Sequence, residues 1–274
     1  AQRLAATDVA GVIAGLASAR DAVERWPRAF APVRDEAARQ PAVYELELAL
    51  AGIELEAGEP ARALARLPLA RRLDPRGSAA GEIHALAGKA YAALGQTKRA
   101  IHWLERARQE AASFERQGQI AHALASAFSK QGANREALSV ASAAAEAARP
   151  RERADLFCDA AQAASFLGEA AESEALLARA ERCFAELDPG LGGLGRARTR
   201  YAAVEGLIAL RAGNVERAER AYGRMLELAL EHRLDDLVAL AVLIHVAACH
   251  QNGSWSKSLE AYLPALDAAR ARGF

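Results

Sequence analysis

Small and apolar residues return along this chain at fixed offsets, set among charged ones. In ALAGKAYAALGQTKRAIHWLERA, residues 85–107, Gly88, Tyr91, Gly95, Ala100, Leu104 and Ala107 stand three to five positions apart. Steps of three and four keep side chains on one helical face, and the step of five follows a glycine that can leave a helix in the left-handed conformation. The stretch therefore predicts two helices joined at Gly95. The same offsets recur around Gly58 (Ala63, Leu67, Ala70), Gly132 (Ala137, Ala141, Ala144), Gly168 (Ser173, Leu177, Ala180), Gly213 (Ala218, Tyr222, Met225) and, more loosely, Gly253 (Ser258, Tyr262, Ala265). Successive turn glycines are separated by 37, 37, 36, 45 and 40 residues. Gly88 and Ala100 fall on facing helices of one hairpin, where short side chains let the axes approach closely, and Gly206 repeats the role of Gly88. Ala107 does the same toward the next repeat, while Tyr91 and Leu104 fill the space between hairpins.

This order of small residue, aromatic, turn glycine, alanine, large apolar residue and second alanine resembles the tetratricopeptide repeat. The clearest copy is GKAYAALGQTKRAIHWLERA, and Pro75 stands where the motif closes with proline. The resemblance covers residues 44–274, although the period exceeds 34 and the leading Trp is absent. It implies an all-α fold: a right-handed α-solenoid of about six helix-turn-helix repeats, near 44–77, 81–114, 118–150, 154–187, 199–232 and 239–272, with capping helices at both ends. A Gly-rich insertion over 188–198 accounts for the longest spacing. Residues 1–43 are expected to form an N-terminal cap or a divergent first repeat; Val12, Leu16, Ala19 and Val23 share one helical face there. YLPALDAARARGF, at the end of the sequence, is expected to finish the array.

Composition agrees with helices. Apolar residues make up 52% of the 274 and aromatics only 5%, with Ala and Leu dominant. Thirty-five basic residues balance thirty-five acidic ones, so no global field attracts a phosphate backbone, and nucleic acid is not an expected direct partner. Cys158, Cys183 and Cys249 are widely spaced and odd in number, which fits a reducing compartment. The longest apolar run, LVALAVLIHVAAC over 237–249, is too short to span a bilayer.

Candidate chemistry is sparse. GLGGLG, residues 190–195, satisfies the dinucleotide spacing GxGxxG, but a predicted helix precedes it where the fingerprint needs a strand. His245 and His250 lie five apart, about 500° around a helix, so their imidazoles diverge. GRARTR, residues 195–200, sets three arginines at alternate positions beside the insertion, a phosphate or acidic-peptide contact if they converge. No hydrolase, zinc-protease or P-loop motif occurs, so no catalytic residue, metal site or cofactor is expected.

In the family resembled, the first helix of each pair lines a concave groove. That resemblance projects Glu45, Leu48, Glu56, Glu82 and Lys89 inward from the first two repeats, then His122 and Lys130. Asp155, Cys158, Gln162 and Phe166 follow from the fourth repeat, then Arg200, Leu207, Arg211, His250 and Gln251. The expected function is a non-enzymatic interaction module that takes a peptide or protein partner in this groove, in a bacterial cytoplasmic regulatory or assembly pathway. A second expectation is the scaffold segment of an exported envelope machine, with Ala1 starting a mature periplasmic chain. Self-association and membership of a longer chain stay open.

Overall fold

Alanine and leucine lose little freedom on entering a helix, and these residues fill the intervals between the turn glycines. The computed structural model describes residues 36–73, 80–110, 114–188 and 193–254, with single positions 256, 260 and 263 beyond them. Among the described residues there are eleven helices and no strand. In chain order they are α1 (Glu36–Glu56), α2 (Pro60–Leu73), α3 (Ala80–Ala93), α4 (Thr97–Glu110), α5 (Phe114–Gln131), α6 (Asn134–Ala147), α7 (Pro150–Leu167), α8 (Ala170–Ala185), α9 (Leu194–Arg211), α10 (Val215–Glu231) and α11 (Asp235–Gln251).

The turns that pair these helices share one hydrogen-bond pattern. At the end of α3, Gly95 takes φ +72°, its N–H donates to Ala92 O at 3.1 Å, and Gln96 N–H donates to Tyr91 O at 2.9 Å. These two bonds satisfy carbonyls that the helix end would leave orphaned. The connection after α10 uses the same pair of bonds, but Arg233 holds the left-handed position, at φ +53°.

The chain divides into two compact units, Ala1–Gln131 and Gly132–Phe274. In the first, Leu48 and Ala51 of α1, Ala63, Leu67 and Ala70 of α2, and Ile83 and Ala87 of α3 form one core cluster. Small residues set the α3–α4 distance: a Cβ added to Gly88 would lie 2.5 Å from Leu104 Cγ and 3.2 Å from Ala100 O, and Ala100, Leu104 and Ala107 are fully buried. In the second unit Gly206 leaves room for the ring of Tyr222, and Ser173, standing where other repeats have alanine, donates its buried hydroxyl to Ala161 O at 2.9 Å. Ala202, Met225, Leu226, Ala229, Val238 and Ala241 join α9, α10 and α11 in one cluster. Each large apolar side chain buried this way contributes roughly 1.5–3 kcal/mol.

Helix starts lie upstream of the repeat boundaries expected from the sequence. The first helix begins at Glu36 rather than 44, and α9 begins at Leu194, inside the expected insertion. The cause is burial: Leu194 and Ala197 are 3% and 6% exposed, so this segment gains more by packing as a helix than as a loop. The 45-residue spacing combines the 16 and 18 residues of α8 and α9 with the connection between Ala185 and Leu194. The helix expected around residues 10–26 and the terminal cap, apart from Leu263, lie outside the described residues.

Candidate functional site

The first helices of the pairs are α1, α3 and α5 in the first unit and α7, α9 and α11 in the second. On α1 the projected Glu45 and Glu56 are exposed. Leu48 departs from the projection: it is buried in the cluster shared with α2 and α3, because its apolar side chain falls on the core side of the same helix. On α3, Lys89 is half-buried; burial pulls its pKa below the ordinary lysine value, while the carboxylates of Glu56 and Glu82 oppose the shift. Glu82 also pairs with Arg116 of α5 at 2.9 Å. His122 is half-buried and Lys130 exposed on α5.

The second unit brings several projected residues together. Arg200 of α9 reaches α7, where it pairs with the buried carboxylate of Asp159 and donates to Asp155 O at 3.3 Å. Burial alone would lower the Arg200 pKa, and the neighbouring carboxylates of Asp159 and Asp155 outweigh it and raise the value. Toward the other end of the same two helices, Arg211 Nε donates to Ser165 O at 3.0 Å, and its guanidinium lies 5.1 Å from the centroid of the Phe166 ring. Phe166 stays 39% exposed. Gln162 and Leu207 lie half-buried between these two contacts, one helical turn from Phe166 and Arg211 respectively. Cys158 does not line the face: it is fully buried, and burial pushes its thiol pKa far up. On α11, His250 and Gln251 are exposed.

GRARTR does not make one basic patch. It lies at the start of α9, where alternate residues turn about 200° apart, so Arg196 is exposed, Arg198 half-buried and Arg200 committed to α7.

Two charged clusters escaped the sequence reading. Glu47 and Glu54 of α1 are buried at 1% and 0% exposure, and Arg66 of α2 clamps them, with both Glu54 oxygens at 2.7 Å and Glu47 Oε2 at 3.1 Å. A pocket of about 270 Å³ opens beside them, lined also by Arg62, Ala65 and Leu69. In the second unit Arg217 of α10 grips Glu174 of α8 through two bonds of 2.6 and 3.0 Å and reaches Glu205 of α9 at 3.3 Å. The spacing of seven between Glu47 and Glu54 puts them on one helical face, but which arginine crosses from the next helix depends on hairpin geometry that spacing does not encode.

No protein-family model matches the sequence, and no curated protein matches it. Solved structures do match in fold. The Rap protein complexed with Competence and Sporulation Factor superposes with a TM-score of 0.56 at 13% identity, over 88% of this chain and 81% of that one. BtubC (BKLC) from P. vanneervenii gives 0.55 at 17% identity over 84% and 93%, and a tetratricopeptide repeat protein from Parabacteroides merdae gives 0.53 at 13% over 82% and 79%. The chain has a tetratricopeptide-like helical-repeat fold. In such a repeat the second helices and the inner sides of the first supply the stacking core, as Ala100, Ala107, Ala137, Ala141, Ala180, Ala218 and Ala229 do here, all fully buried. On the first helices, Glu45, Glu56, Lys130, Phe166 and Arg211 remain exposed. No group of His, Cys, Asp and Glu suited to a metal ion occurs among the described residues, and no helix there is long and apolar enough to cross a membrane.

Proposed function

We propose that this chain is a non-enzymatic interaction module that holds a peptide or protein partner along the faces of its first helices, within a bacterial regulatory or assembly pathway. The observation that carries the reading is the α7–α9 face, where Phe166 is exposed beside Arg211 while the alanine-rich sides of the neighbouring helices are consumed by stacking. Exposed aromatic and arginine side chains carry a disproportionate share of binding energy at protein interfaces. A neighbour in fold, the Rap protein, is complexed with Competence and Sporulation Factor, which supports a recognition role for such a scaffold.

A photo-reactive amino acid placed at Gln162, on the proposed face, or at Ser139, exposed on α6, tests the assignment in cells of the source organism. Crosslinks to a common partner from position 162 and not from 139 are expected. The reverse pattern would place recognition on the second helices and overturn the reading.

A further inference from the structure

The inference rests on the interaction reading above and names the chemistry that one end of the face selects. Helices α7 and α9 carry their outer side chains in one rhythm: Asp155, Gln162 and Phe166 stand at i, i+7 and i+11, and Arg200, Leu207 and Arg211 repeat it. Eleven residues span about 16 Å of helix, and packed axes lie roughly 8–10 Å apart, enough for a short extended segment.

The two ends differ in charge. At one end Arg200 is neutralised inside the protein by the Asp159 carboxylate, with Asp155 Oδ1 3.9 Å away. At the other, no carboxylate among the described residues forms an ion pair with Arg211. Its Nε is taken by Ser165 O and its plane lies beside the Phe166 ring, which orients the guanidinium while the terminal amino groups keep their donor capacity. A fork held this way loses less side-chain entropy on gripping a carboxylate than a freely rotating one. Phe166 and Leu207 supply apolar surface one turn or less away.

We propose that the Phe166–Arg211 end of the α7–α9 face binds an acidic peptide segment, one side-chain carboxylate accepting from Arg211 and an adjacent apolar side chain resting on Phe166 and Leu207. Charge complementarity sets the class of partner and its orientation, since at the other end two carboxylates, Asp155 and Asp159, already face the one guanidinium of Arg200.

An array of random decapeptides, amidated at the C-terminus so that side chains supply the only carboxylates, is probed with the whole chain. Bound sequences should be enriched in Asp or Glu next to an apolar residue. For the best binder, Arg211→Glu should weaken affinity at least tenfold and Phe166→Ala severalfold. Exchanging the peptide acid for lysine should restore binding to Arg211→Glu. Arg211→Gln, which retains a donor toward Ser165, should lose nearly as much as Arg211→Glu, separating loss of charge from loss of local structure. Selection of basic or uncharged peptides, or affinity indifferent to Arg211→Glu, would overturn the inference and leave the interaction reading standing; if such peptides lose binding to Glu45→Lys instead, the site lies on the first unit. An array that binds nothing would overturn the inference, and the crosslinking comparison above would then decide the broader reading by itself.

Discussion

At the scale of single residues, the fold depends on atoms that are missing. Gly88 has no Cβ because Leu104 Cγ would stand 2.5 Å from it, and Gly206 has none because Tyr222 occupies that space. Gly88→Ala should therefore cost about 1–3 kcal/mol despite its gain in helix propensity, since the clash lies in a packed interior. Urea unfolding checks this, and an unchanged midpoint would mean that the helices separate freely. These positions were legible in the sequence because volume at a repeated offset has one reading. The charged partners were not: Glu47 and Glu54 look like ordinary surface residues of an amphipathic helix until Arg66 is brought across from the next one. Leu48, projected onto the groove face, lies in the core cluster instead, since a phase difference of one residue turns a side chain about 100° around the helix.

For whole helices, length and termination decide the repeat. Termination was readable from glycine, because positive φ strongly favours it, and Gly58, Gly95, Gly132, Gly168, Gly213 and Gly253 all lie between +72° and +82°. Helix starts were less readable, since burial of Leu194 and Ala197 extends α9 into a stretch whose glycines suggested a loop. After α10 an arginine does the work of glycine. Arg233 is exposed and its side chain adds nothing the turn requires, so Arg233→Gly should relieve left-handed strain and stabilise the protein by about 1 kcal/mol. A fall in the thermal midpoint of this variant would show that the Arg233 side chain supports the turn.

Across the whole molecule, 35 acidic residues balance 35 basic ones, and Arg66, Arg179 and Arg217 each meet a carboxylate within the protein. Protonation nevertheless couples to stability at alkaline pH. Burial raises the pKa of Cys158 and Cys183 above the ordinary 9.0 and of Tyr201 and Tyr222 above 10.0, so the folded state keeps protons that the unfolded state releases. Their contribution is complete below pH 9 and is lost as pH rises through the folded values; Lys89, lowered from 10.5, acts in the opposite sense. The thermal midpoint should decline steadily above pH 9, and Cys158→Ala combined with Cys183→Ala should delay the decline. A midpoint independent of pH up to 11 would contradict these burial assignments.

The central claim is that stacking uses one side of the first helices and leaves the other for a partner. Amide hydrogen exchange across the chain, alone and saturated with an acidic peptide selected on the array, tests it directly. New protection is expected in α7 and α9, concentrated around Phe166 and Arg211. Protection confined to α6, α8 and α10 would contradict it.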